Sequence, residues 1–183
     1  PPLWLEPLPN AIALEELEKL EDWSVCSFQN GQWPIYEKKW ELSALVGLGD
    51  DPANQKRLPV EVNFSQGGNY GLLGTAGTGK STFVQTLVYS LIHRYSPEYL
   101  NIYVLDFSNH ACAAFEGECH MGGILNENDL DRVGKLFYLL WQMVAERKRA
   151  FQGGNYTQYV MVNVPQNRRL HGPDEQAPHR TSL

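Results

Sequence analysis

The sequence predicts an α/β fold, a parallel sheet with helices on both faces and a β-hairpin in front of it. Three observations carry that reading. Short apolar runs alternate with long amphipathic ones, which is the order of strands and helices in a parallel sheet. The run "GLLGTAGTGKST", Gly71 to Thr82, has the glycine, lysine and serine spacing of a phosphate-binding loop between a strand and a helix. Turn-rich residues separate two strand-like runs just upstream of it.

The elements follow in chain order. Residues 1–10 hold four prolines and read as an extended lead-in. "AIALEELEKL" places Ile12, Leu14, Leu17 and Leu20 in a rough helical stripe with acids near its start, which predicts a short helix. Residues 41–64 predict a β-hairpin: an apolar run ending in glycine, the turn-rich "DDPANQK", then the alternating "RLPVEVNF". Its position predicts a lip over a nucleotide site. "NYGLLG" predicts a short buried strand. From Gly79 to about Arg94 the apolar spacing is helical, and Pro97 stops the helix. "YLNIYVLDF" predicts a second strand ending at Asp106, and "GGIL" a short third one. "NENDLDRVGKLFYLLWQMVAERKRAF" predicts a long amphipathic helix. Asn126 or Asn128 could cap it, acids crowd its start, bases crowd its end, and Gly153 and Gly154 close it. The domain plan is therefore a lead-in over 1–40, a partial phosphate-loop domain over 41–164 and a tail over 165–183 that lacks periodicity and reads as disordered.

Composition narrows the function. A net charge of -6 argues against a nucleic-acid coat protein, which needs a basic excess to neutralise phosphates. Cys26, Cys112 and Cys119 stand apart and fit no closed disulfide framework, so they read as thiols in a reducing compartment. No apolar run reaches the roughly 20 residues of a membrane span. The opening "PPLWLEPLPN" reads as the middle of a longer protein, an excised module.

The phosphate loop is the strongest functional signal. Its glycines let successive N–H groups curl toward phosphate oxygens. Lys80 reaches the β- and γ-phosphates as a point charge, the Ser81 hydroxyl coordinates Mg²⁺, and the helix adds its positive N-terminal end. The nucleotide set is Gly74, Thr75, Ala76, Gly77, Thr78, Gly79, Lys80, Ser81 and Thr82, with ATP and Mg²⁺ as cofactors. Asp106 ends an apolar strand at the sheet edge where ligands bind, so on chemistry alone it is either a metal-side carboxylate or a strand-ending turn residue. Weaker signals point to packing. The H-x-C-x6-C-H run from His110 to His120 matches no common zinc finger. Trp4, Trp23, Trp33, Trp40 and Trp141 read as core or inter-module packing, and Arg147, Lys148 and Arg149 as a solvated helix end.

"GLLGTAGTGKSTFVQTLVYSL", "NIYVLDFSN", "CHMGGIL" and "ERKRAF" stand in one order at familiar gaps. Together they resemble the FtsK/SpoIIIE class of ring-forming motor ATPases, and within it the EssC/EccC type VII secretion ATPases. The resemblance covers about residues 1–163. It implies a RecA/ASCE-like P-loop NTPase fold, other ATPase modules as partners in a hexameric ring, and export of small WXG-type proteins. It also implies a membrane-anchored parent protein, with this module on the cytoplasmic side. DNA translocation is the alternative. Asp106-Phe107-Ser108 stands where DNA translocases usually show Asp-Pro-Lys, and with the acidic charge this favours secretion.

In that class an extra strand separates the phosphate-loop strand from the Walker B strand. Asp106 then becomes a neighbouring-strand residue, and the Walker B acids are due after "ERKRAF". There "NYTQYVMVNV" begins well, but Pro165 and a featureless tail follow, and Asp174 and Glu175 lie in a stretch unfit for a buried strand. The abrupt shift predicts that the chain from about Val164 is truncated or out of frame, against the alternative of a natural degenerate module. It also predicts a phosphate clamp without its water-polarising acid, and hence strongly reduced hydrolysis. A sheet missing that strand would leave apolar edges exposed.

Overall fold

In the computed structural model, which describes residues 6–20, 28, 30–33 and 41–150, the chain divides into two units, Pro1–Asn101 and Ile102–Leu183. Trp4, Trp23, Trp40, Cys26, the run "NYTQYVMVNV" and the tail 165–183 lie outside the described residues.

The first unit opens with helix α1, Leu14–Lys19. Glu15 and Glu16 sit in its first turn and Lys19 in its last, matching the helix dipole. Leu17 is buried, and α1 lies against strand β1, Ser43–Asp51. Strand β2, Lys56–Asn63, pairs antiparallel with β1 from Ser43 opposite Asn63 to Asp51 opposite Lys56, with an irregularity between Leu45 and Gly47. The predicted hairpin is thus present. Its turn is tied by the Asp51 carboxylate, which accepts from the Asn54 backbone at 3.3 Å and side chain at 2.7 Å. The side-chain bond from Asn54 is the main reason the Asp51 carboxyl is held below its ordinary value. Pro59 is tolerated because β2 is an edge strand.

A short helix α2, Phe64–Gly67, follows and is capped by the Asn63 side chain accepting from Gln66 N at 3.0 Å. Helix α3, Lys80–Arg94, runs from the phosphate loop. Its inner face carries Val88 and Leu91, which are buried, as are Tyr95 just beyond it and Ala44 and Leu45 of β1. Each large apolar side chain buried this way contributes about 1.5–3 kcal/mol.

The strand expected at "NYGLLG" is absent. Residues 69–75 are irregular, and Leu72 and Leu73 are 45% and 94% exposed. A strand needs a ladder, and among the described residues no strand pairs with this run.

In the second unit, strand β3, Ile102–Leu105, pairs parallel with β4, Met121–Leu125, from Ile102 opposite Met121 to Leu105 opposite Leu125. Asp106 N adds one more bond, to Leu125 O at 2.8 Å. Gly122 is required where it stands: a Cβ there would lie 2.3 Å from the Tyr103 ring. A 3-10 turn, Ala111–Phe115, lies in the crossover. Helix α4, Leu130–Ala150, follows and buries Leu136. The residue before it, Asp129, takes the capping position instead of Asn126 or Asn128. Its carbonyl accepts from Arg132 N and Val133 N, both at 2.9 Å, and its carboxylate from Asn126 N at 3.1 Å. Asn126 serves instead to turn the chain, accepting from Asn128 N at 2.9 Å.

The fold is α/β, as expected. Its described strands form an antiparallel pair and a parallel pair, each a sheet of two. Among the described residues no helix is long and apolar enough to cross a membrane.

Candidate functional site

Gly74 to Thr82 form one continuous structure in the first unit. The loop turns through Gly77 and Gly79, whose φ angles of 77° and 83° lie in the left-handed region that suits glycine. Gly79 is also the N-cap of α3. It offers no side chain to cap the helix, and its carbonyl accepts from Phe83 N at 2.8 Å to start the helical ladder. A helix N-terminus of this kind favours an anion, through the dipole and the direction of its first amides.

The interior of the loop is held by its polar side chains. Thr78 Oγ1 donates to Thr75 O at 2.8 Å. Lys80 Nζ donates to Gly74 O at 2.9 Å and Thr75 O at 2.6 Å, which draws the start of the loop over the helix N-terminus. A Cβ at Gly74 would meet Thr78 Oγ1 at 2.7 Å, so that glycine lets the loop close on itself. Ser81 and Thr82 occupy the first turn of α3. The result is an exposed loop that brings together an ammonium, a hydroxyl and a helix N-terminus, chemistry suited to phosphates and their Mg²⁺.

The hairpin is anchored at the opposite end of α3, not at the loop. Leu45 N donates to Ser90 Oγ and Ser43 N to Tyr95 Oη, both at 2.9 Å. Arg94 Nη1 donates to Ser43 Oγ at 2.7 Å, and Tyr95 Oη donates to Glu41 O.

The lead-in is bonded to the same end. Trp33 Nε1 donates to Ile92 O at 3.0 Å and Phe28 N to His93 O at 2.7 Å, so two of the last carbonyls of α3 receive partners from far upstream. The Glu18 carboxylate, buried, lies 3.0 Å from His93 Nδ1. Arg57 Nη2 donates to the carbonyls of Glu6 and Pro7. Sequence periodicity gives no sign of these contacts. Among the described residues, Phe28 and Trp33 also form an aromatic pair, with rings 4.5 Å apart.

Asp106 belongs to the second unit, and its carboxylate is engaged locally. Oδ1 accepts from Ser108 N at 3.3 Å and Oδ2 from Cys112 N at 3.2 Å, so it ties the turn after β3. Partial burial works against its ionisation. The Cys112 and Ser108 amides and the nearby His110 outweigh that and hold the carboxyl below its ordinary value. Burial, with the Asp106 charge beside it, pushes the Cys112 thiol up.

The remaining candidates fall apart as a site. Cys119 Sγ lies 3.5 Å from His120 Nδ1 and His110 Nε2 lies 3.6 Å from Glu127, but among the described residues no cluster of three metal-binding side chains exists. Arg147, Lys148 and Arg149 are exposed at the end of α4, as expected. Trp141 is 68% exposed, which departs from a core role.

Comparison with known proteins places this geometry. The family model described as the FtsK/SpoIIIE family matches residues 36–167. The ESX secretion system protein EccC of Thermomonospora curvata is 30% identical over 177 residues, which is 96% of this chain and 13% of the relative. The solved cytoplasmic domain of the Thermomonospora curvata type VII secretion ATPase EccC superposes with a TM-score of 0.65 at 27% identity, over 78% of this chain and 17% of that one. A second structure holds EccC ATPases 2 and 3 in complex with a signal sequence peptide. It gives a TM-score of 0.60 at 30% identity, over 75% of this chain and 24% of that one. The chain thus spans 13% of the length of the curated relative it matches, and its fold is that of these P-loop ATPase domains.

Proposed function

The chain belongs to the FtsK/SpoIIIE family, and on that footing we propose that it is an ATP-binding module of a type VII secretion motor. The observation that carries the proposal is the phosphate loop, with Lys80 Nζ at the loop carbonyls and the start of α3 directly after it. The likeness to EccC ATPase domains supports the secretion branch.

The nucleotide-binding residues are Gly74, Thr75, Ala76, Gly77, Thr78, Gly79, Lys80, Ser81 and Thr82. The backbone of 74–79 and the first turn of α3 bind phosphate oxygens. Lys80 exchanges a carbonyl partner for the phosphates, and the charge it brings offsets theirs. Ser81 holds the metal. Mg²⁺, when bound, neutralises charge on the β- and γ-phosphates. Asp106 is read as a turn residue, a role supported by the bonds that both its oxygens accept from amides after β3.

The larger setting is part of the same reading. The module sits among other ATPase modules of a membrane-associated motor, on the cytoplasmic side, and the cargo is a secreted protein of the WXG type. That a relative was solved with a signal sequence peptide supports a protein cargo. Over residues 151–183 the sequence carries no apolar run ending in paired acids, which supports slow hydrolysis by this polypeptide.

Three assays on the full chain test the proposal. Mg-ATP binds in an equilibrium titration, while turnover stays below about 0.1 per second, well under the 1–10³ per second usual for enzymes. Duplex DNA, titrated at low and moderate salt, gives no salt-dependent binding. Tight binding that weakens steeply with salt would transfer the module to the DNA-translocating branch.

A further inference from the structure

We propose that Ser90 and Tyr95 are positioning residues that couple the phosphate loop to the β-hairpin, so that nucleotide held at the start of α3 tightens the edge of β1. The inference rests on the ATP-binding reading above and adds a read-out surface to it.

The argument begins with the two edges of β1. One edge is paired with β2. The other would present bare amides, and instead two of them, Ser43 N and Leu45 N, donate to Tyr95 Oη and Ser90 Oγ at 2.9 Å. These acceptors are side chains of the last turns of α3 and the residue that ends it. The contact is closed to water: Ser43 and Tyr95 are each 1% exposed, Leu45 1% and Ser90 4%. A buried amide cannot trade such an acceptor for solvent, so the edge of β1 opens only when α3 gives way.

The other end of α3 begins at Lys80, the residue that holds the loop closed. Phosphates at that end add partners for the first-turn amides and stabilise the whole helix against local opening. Whatever protects α3 also protects Ser43 N and Leu45 N. Stabilisation by ligand grows with its concentration over Kd, and it passes to every segment whose opening requires release of the ligand.

Hydrogen–deuterium exchange resolved to single amides tests this on the full chain, with and without Mg-ATP at saturating concentration. In the unaltered protein the Ser43 and Leu45 amides slow by about tenfold or more on nucleotide addition. In Tyr95→Phe and Ser90→Ala the response at the amide that lost its acceptor falls below about twofold, while Val88 and Leu91 of α3 still slow and Kd stays within about threefold. The α3 amides show that each variant is folded and occupied. Unchanged exchange at Ser43 and Leu45 in the unaltered protein, with binding seen by titration, overturns the coupling and leaves the nucleotide reading intact. Variants that respond like the unaltered protein overturn the roles of Ser90 and Tyr95. Absence of Mg-ATP binding removes both readings together.

Discussion

At Lys80 the ammonium group donates to the carbonyls of Gly74 and Thr75, which holds the loop in a shape whose left-handed turns at Gly77 and Gly79 favour glycine. An alanine at either position meets a left-handed backbone that costs about 1–2 kcal/mol. Gly77→Ala should therefore lower thermal stability by several degrees and weaken Mg-ATP binding at least about tenfold, as a melting scan and a titration would show. Asp106 tests the other half of the residue-level account. Its carboxyl is depressed by the turn it caps, so the ionised form contributes stability above the ordinary carboxylate value, and that contribution fades as pH falls through the depressed one. Asp106→Asn should cost about 1 kcal/mol in urea unfolding at pH 7, with the difference shrinking toward pH 3. A metal-side carboxylate would behave otherwise. The substitution would then weaken Mg-dependent nucleotide binding, and the account expects that affinity to stay unchanged.

At the scale of elements, α3 joins the phosphate loop at its start to the hairpin and lead-in at its end. Trp33→Phe keeps the ring and removes the N–H that reaches Ile92 O, and should cost about 1 kcal/mol of stability in denaturant unfolding. The hairpin, α3, β3, β4 and α4 were all legible in the sequence, because period-two and helical spacing and the turn residues between them are local signals. Three things were not. "NYGLLG" has the residues of a strand, but strands exist by pairing, and no described strand pairs with it. The cap of α4 fell to Asp129 because the neighbouring asparagines were equally good candidates by type, and only the backbone decided among them. The lead-in reads as a proline-rich linker, yet Trp33 and Phe28 bond to residues far along the chain, a distance that periodicity does not span. The glycine turn at Gly77 and Gly79 and the helix after it were legible, since the motif sets fixed residues at fixed spacing.

At the scale of the whole molecule, the exposed apolar side chains among the described residues include Leu73, Phe137, Tyr138, Trp141 and Val144. The first leads into the phosphate loop, and the other four lie along α4. Exposed aromatic and aliphatic side chains of this kind promote association. Trp141→Ser should therefore raise the concentration at which light scattering first detects association, with little change in unfolding midpoint because the side chain is 68% exposed. The central claim is that this chain holds a nucleotide through Lys80 and the loop around it. The measurement that meets it most directly is an equilibrium titration of Mg-ATP into the full chain and into Lys80→Ala. The account predicts saturable binding by the first and a loss of at least about a hundredfold in the second, as removal of a charged phosphate contact requires. Equal affinity of the two proteins would contradict it.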